Sequence, residues 1–285
     1  MSWLLAGFLA GVVLVSVGLV SVYQGWWTKR STAAELLALL QPYFRVFRPE
    51  ADGPLPLAIL VPGCVSAKDH ADGWARHVTA QGWAALVVDS HTPRGWNRPE
   101  YLARICTGRM FWGTARAGDV LVALAHARTL PWVDTQRIVP IGWSHGAWSI
   151  MDLLALDPPR RLPFNLTDLP EGFAQRRFNG VAGLVLLYPY CGLGNRARGR
   201  GWRHKAPTLF LLAGADTIVR NPATLAIIDK LRRRGHEADV HTLEGVNHGF
   251  DDTFTYPGNP LVHDPKATVE AKRWVAKFLR GLGRS

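Results

Sequence analysis

Ser144, Asp216 and His248 are residues whose types and order suit nucleophilic catalysis. A serine hydroxyl attacks poorly at neutral pH unless an imidazole takes its proton and a carboxylate holds that imidazole in the working tautomer. Ser144 sits in Gly142-Trp143-Ser144-His145-Gly146, a G-x-S-x-G pentapeptide whose glycines permit a sharp turn with the hydroxyl projecting from it. Asp216 follows the apolar run 207–214, and His248 lies in the loop Glu244-Gly245-Val246-Asn247-His248-Gly249-Phe250. The chemistry such a set supports is attack of Ser144 on an acyl carbon, then release of the acyl group to water. Other assignments exist for each position. His241 falls in the middle of an expected strand and His204 in a basic loop, which makes both weaker bases than His248, and Asp216 could instead cap a helix beginning near Asn221-Pro222. Asp251 and Asp252 follow His248 too closely to serve as its acid and read as surface or helix-start residues.

The elements that must position these residues follow from hydrophobic patterning. Short apolar runs predict strands at 57–61, 84–89, 137–141, 181–188, 207–213 and 238–243. Helical spacing is found near 71–80, 115–129, 147–156, 222–234 and 267–280. This alternation predicts a mostly parallel, doubly wound α/β sheet, with Ser144 at a strand-turn-helix junction. The chain order Ser144, Asp216, His248 is the one used by the α/β-hydrolase fold. An acyl-transfer site also needs backbone N–H donors for the developing oxyanion. His145, directly after the nucleophile, supplies one. The second is expected from Cys64, because Pro62-Gly63-Cys64 follows the first strand of the sheet.

Several stretches together carry a family resemblance: Val61-Pro62-Gly63-Cys64, Asp69-His70, the segment Gly82 through Gly95, the elbow itself and Tyr188-Pro189-Tyr190-Cys191. Over residues 55 to 280 the chain resembles bacterial dienelactone hydrolase-like α/β-hydrolases. It departs from authentic dienelactone hydrolases in carrying Ser144 where those use cysteine, so the resemblance implies hydrolysis of an ester or related acyl bond rather than dienelactone as substrate. It also hints that Cys64 and Cys106 meet near the site. Cys64 as an alternative nucleophile lacks an elbow. Asp89 and Arg94 are expected to pair as structural residues beside the site.

The N-terminus is the second strong feature. No charged side chain occurs from Met1 to Thr28, and Trp3 through Tyr23 is almost continuously apolar, long enough for a helix to cross a hydrocarbon core of about 20 residues. Tyr23, Trp26 and Trp27, then Lys29 and Arg30, suit an interface. The reading is a single-pass membrane anchor at 1–28, the alternatives being a cleavable signal peptide or an uncleaved signal. A connector at 29–54 and a catalytic domain at 55–285 follow. An insertion at 157–179 is expected as a lid, with Leu162, Phe164, Leu166 and Phe173 lining an apolar pocket; the alternative is a surface connection. Lys29, Arg30, Arg45 and Arg48 after the span favour a cytoplasmic domain, whereas oxidised cysteines would favour a periplasmic or secreted one.

Composition limits the remaining classes. The net charge of +11 is scattered rather than gathered on a nucleic-acid motif, so the expected partners are a small acyl substrate and membrane lipid, not nucleic acid. The densest basic run, Arg196 to Lys205, suits anionic headgroups or a solvated loop. Neither a metal-ligand spacing nor a phosphate-cradling glycine loop occurs, so no cofactor or metal is implied. The competing functions are an acyltransferase or thioesterase on the same three residues, and a noncatalytic membrane-anchored binding protein.

Overall fold

The computed structural model describes residues 28–65, 68–96, 101–253 and 261–282, with Gly11 and Gly18. Apart from those two glycines and Thr28, the expected membrane span at 1–28 lies outside the described residues. Among the described residues no helix is long and apolar enough to cross a membrane.

Seven strands form one sheet in the order β1-β3-β2-β4-β5-β6-β7: β1 Arg45–Phe47, β2 Leu55–Val61, β3 Ala84–Val87, β4 Val133–Trp143, β5 Leu184–Leu187, β6 Thr208–Ala213 and β7 Ala238–Leu243. All neighbours from β3 to β7 run parallel, and only the edge strand β1 is antiparallel. Every residue of β2 is buried because helices cover both faces of the sheet, which is why the parallel strands read as continuous apolar runs rather than alternations. Leu57, Ile59 and Val61 point to one face and join the helices α3 (Gly113–Ala127), α4 (His145–Leu156) and α7 (Asn221–Arg233). Ala58 and Leu60 point to the other, against α2 (Lys68–Thr79) and α8 (Pro265–Leu282). The short helices α5 (Phe173–Arg176) and α6 (Arg196–Arg200) lie in connections.

The expected connector at 29–54 is integrated into this fold. Thr32 and Glu35 make a reciprocal capping box for α1 (Ala33–Leu40), and the Ala33 N–H donates to Asp168 at 2.6 Å. Ala33, Leu36 and Leu40 then join the core, and β1 pairs with β3. Both elements are too short for a periodic signal to mark them. The helix expected at 222–234 begins one residue earlier. Its N-cap is Arg220, and the Asn221 side chain donates to the Ala213 carbonyl at 2.7 Å.

Candidate active site

Ser144 occupies the turn between β4 and α4 with φ 48° and ψ −112°, a conformation a non-glycine residue keeps only when its surroundings enforce it. The enforcement is visible. The Ser144 N–H donates to Leu187 O at 2.9 Å, and Trp148 N donates to Ser144 O at 2.9 Å. A Cβ on Gly146 would stand 1.9 Å from the Val61 carbonyl oxygen, and one on Gly142 would stand 2.7 Å from Ala147 Cα. The two glycines of the pentapeptide are therefore required by the approach of α4 to β2 and by the tightness of the turn.

Asp216 and His248 lie beyond the C-terminal ends of β6 and β7, on the same edge of the sheet as Ser144. His248 Nε2 is 2.8 Å from Ser144 Oγ, and His248 Nδ1 is 2.8 Å from Asp216 Oδ2. The tautomer that satisfies both contacts carries its proton on Nδ1, donates it to Asp216 and accepts from the serine hydroxyl. The two side chains are 7% and 1% exposed. Asp216 is fixed by the Ile218 and Val219 N–H groups, which donate to Oδ1 at 2.9 and 2.7 Å, so it organises a turn and faces the imidazole at once. Asn247 joins the two loops: its Oδ1 accepts from Thr217 N at 2.9 Å, Thr217 Oγ1 at 3.0 Å and His248 N at 2.7 Å. His241 stacks on Trp274 and His204 bonds to the Val181 carbonyl; neither faces Ser144.

Behind the imidazole, the structure overturns the surface reading of Asp251 and Asp252. Both are buried, and Asp251 has no exposed side-chain surface. Four donors from distant parts of the chain converge on it: Tyr188 Oη at 2.5 Å, Trp74 Nε1 at 2.8 Å, Trp143 Nε1 at 3.0 Å and His70 Nε2 at 3.0 Å. Burial alone would raise the carboxyl pKa, but the His70 charge and the converging donors outweigh it and hold the pKa below its ordinary value. Burial would likewise lower the His70 pKa; Asp251 raises it instead. Tyr188 stays neutral, its pKa driven well up by burial and by Asp251. Its ring packs against His248 with centroids 4.7 Å apart, so the buried carboxylate supports the surface on which the imidazole rests.

Cys64 and His145 line the same cavity as Ser144, and neither backbone N–H has an acceptor among the described residues. These are the two groups expected to face an oxyanion. Cys64 forms a disulfide with Cys106, which ties the loop after β2 to the segment 101–112. Cys191 is a buried free thiol, its pKa pushed up to about 12 by burial. Asp89 and Arg94 are structural, but not as a pair. Asp89 accepts from the His91 and Thr92 N–H groups and from the Thr92 hydroxyl, while Arg94 makes a two-pronged bond to Asp119 at 2.9 and 2.8 Å.

The cavity over Ser144 measures about 360 Å³. Its walls are largely apolar and aromatic, including Val65, Ile105, Trp112, Trp148, Tyr190, Leu193, Ile218 and Leu261. The expected lining from 157–179 is not there. Leu166 and Phe173 are buried in the core, and none of Leu162, Phe164, Leu166 or Phe173 reaches this cavity. The 157–179 stretch is pinned beneath α1 instead, by the pairing of Ser31 with Leu166, and the wall comes from 105–112 and from loops beyond β5 and β7. Arg196 to Lys205 also stand outside the cavity walls. No group of three or more His, Cys, Asp or Glu side chains among the described residues is arranged to hold a metal ion.

A parallel sheet with a strained serine at one strand end, and acid and base at later strand ends, defines the α/β-hydrolase class. Within that class the chain resembles the dienelactone hydrolases: the model of the dienelactone hydrolase family matches residues 173–282, the part holding Asp216 and His248. A probable dipeptidyl-aminopeptidase B from Grosmannia clavigera is 22% identical over 210 residues, 70% of this chain but 20% of that protein. The chain thus spans about a fifth of the length of that curated relative. Among solved structures, a dienelactone hydrolase-like promiscuous phosphotriesterase from metagenomic libraries superposes with a TM-score of 0.60 at 20% identity, over 84% of this chain and 92% of the other. A propionate-bound esterase from Thermogutta terrifontis gives 0.60 at 15% identity, over 84% and 89%. A carboxylesterase from Lactobacillus plantarum gives 0.58 at 15% identity, over 84% and 92%. These likenesses are of fold.

Proposed function

We propose that this chain is a serine hydrolase that cleaves esters of small, uncharged acyl groups. Ser144 is the nucleophile, His248 the general base and Asp216 its orienter. The observation that carries the reading is the unbroken line from Asp216 through His248 to Ser144, 2.8 Å at each step, opening into an apolar cavity. Ser144 Oγ attacks the ester carbonyl while its proton passes to His248 Nε2. The oxygen that takes up negative charge is met by the Cys64 and His145 N–H groups. His248 then protonates the departing alkoxide, leaving the acyl group on Ser144. A water molecule, deprotonated by His248, attacks that acyl carbon; the carboxylic acid leaves and Ser144 regains its proton. With a series of p-nitrophenyl esters, turnover is expected for short acyl chains and for aromatic acyl groups that fit the cavity. Ser144→Ala should lower kcat by about 10⁴-fold or more, and equal turnover by that variant would refute the assignment.

The apolar sequence at 1–28 supports a membrane anchor for this domain. The Cys64–Cys106 disulfide supports placing the domain on the oxidising side of that membrane rather than in a reducing cytosol. Thiol labelling of whole cells before and after reduction tests this. Cys64 and Cys106 should react with a membrane-impermeant maleimide only after a reductant, and labelling that requires lysis would place the domain inside.

A further inference from the structure

Arg116 lies in α3 and is 1% exposed, one of the largest buried side chains of the molecule. Among the described residues no carboxylate lies within ion-pair distance of it, although Asp119 and Asp89 favour its charge from farther off. Asp119, three residues on along the same helix, is taken up by Arg94 and by Asn165 Nδ2. Its direct hydrogen-bond acceptors are neutral, and burying a cation is costly, so the identity of those acceptors matters. Arg116 Nη1 donates to the Pro62 carbonyl at 2.8 Å and lies 3.1 Å from His145 Nδ1, and Nε donates to Ser90 Oγ at 3.0 Å.

The first two acceptors lie next to the two backbone groups proposed as oxyanion donors: Pro62 is two residues before Cys64, and His145 carries the second donor itself. Pro62 precedes Gly63 and Cys64, so holding its carbonyl fixes the Pro62–Gly63 peptide, one peptide before the one that carries the Cys64 N–H. His145 lines the cavity and carries the other proposed donor N–H, while its ring accepts from Arg116. For that, Nδ1 must be unprotonated and Nε2 must carry the proton, which it donates to the Phe111 carbonyl at 2.9 Å. Burial and the neighbouring Arg116 push the His145 pKa well below its ordinary value, which keeps the ring neutral as this geometry requires. Burial also pulls the Arg116 pKa down, to about 10, leaving it cationic at neutral pH. One nitrogen of one side chain therefore spans the end of β2 and the start of α4, the two elements whose separation sets the width of the oxyanion site.

We propose that Arg116 is a positioning residue for the oxyanion hole, clamping the Cys64 and His145 N–H donors at the spacing the tetrahedral intermediate needs. This rests on the hydrolase reading above. Its buried positive charge also favours the negative oxygen that develops nearby. Lysine offers a point charge on a flexible stem rather than a planar fork, and so replaces the clamp only in part.

The test compares the full chain with R116M and R116K on matched p-nitrophenyl oxoesters and thionoesters, with thermal melting of each protein. Thionoesters place sulfur, a poor acceptor, in the oxyanion hole, so the oxoester-to-thionoester ratio of kcat/KM reads that site alone. R116M is expected to lose about 10²- to 10³-fold in kcat, with KM within threefold and the oxoester preference reduced roughly tenfold. R116K should fall between R116M and wild type on both measures, and it serves alone if R116M does not fold. A normal oxoester preference in either folded variant, whatever its melting temperature, overturns the proposal and leaves Arg116 a structural residue. Wild type that hydrolyses no ester and takes up no fluorophosphonate would instead sink the triad reading on which the proposal stands.

Discussion

Two buried charges of opposite sign flank the strand that leads into Ser144, one on each face of the sheet. On the face covered by α2 and α8, the carboxylate of Asp251 gathers donors from His70, Trp74, Trp143 and Tyr188. On the other, the guanidinium of Arg116 spreads over the Pro62 carbonyl, the His145 ring and the Ser90 hydroxyl. The Asp251 cluster joins side chains of elements far apart in sequence, and it reaches the site through the Tyr188 ring beside His248 and through Trp143, the residue before Ser144. The Arg116 cluster grips backbone and side chain next to Cys64 and His145, the proposed oxyanion donors. The comparison teaches that burial alone does not define a role: the anion should act chiefly on stability and the cation chiefly on the rate of chemistry.

Substitutions at the two centres sharpen or break that contrast. Asp251→Asn leaves His70 buried without its counter-charge, and breaking a buried pair from one side costs about 3–5 kcal/mol. Urea unfolding should show that loss while kcat per folded molecule falls far less than in R116M. An unchanged urea midpoint would remove the distinction. Tyr188→Phe deletes a hydrogen bond to a charged group and should cost about 1.5–3 kcal/mol; because the phenyl ring still supports His248, KM should stay near wild type. A large rise in KM without lost stability would show that Tyr188 serves the cavity instead.

The His70–Asp251 pair also predicts a pH signature. His70 has a folded pKa above 6.5, so its stabilisation is full below 6.5 and is lost as pH rises through the raised value. Asp251 has a folded pKa below 3.8, so its stabilisation is present above 3.8 and is lost as pH falls through the depressed value. Urea midpoints of wild type and His70→Gln should therefore differ most between about pH 4 and 6.5 and converge on the alkaline side. A difference that grows above pH 8 would contradict the pairing. The smallest effect is expected at the hinge between the acid and base loops. Asn247→Ala should cost about 1 kcal/mol and lower kcat severalfold by loosening His248 against Asp216, measured by steady-state kinetics beside thermal melting.

Much of the parallel sheet could be read directly, because strands buried on both faces carry apolar runs that need no long-range information. The order Ser144, Asp216, His248 was legible for a related reason: each residue follows a strand, and the glycines at 142 and 146 mark the turn that the structure requires of them. Asp251 was not legible. Its neighbours in sequence suggest a surface, and its burial is made acceptable by donors 63 to 181 residues away along the chain. Arg116 was hidden differently, as one basic residue in a helix whose spacing says nothing of a carbonyl 54 residues earlier. The helix α1 carried a local signal in its Thr32–Glu35 capping box, but β1 has three residues and is defined only by its pairing with β3. The cavity wall escaped because 105–112 is irregular, and its place over Ser144 is set by the disulfide to Cys64.

The central claim is that Ser144 is an activated nucleophile, and its most direct test is fluorophosphonate labelling of the full chain with mass spectrometry of the modified peptides. The account predicts a single adduct, on Ser144, formed fast in wild type, slowed by His248→Ala and absent from Ser144→Ala. An adduct on another residue, or equal labelling after loss of His248, would contradict it.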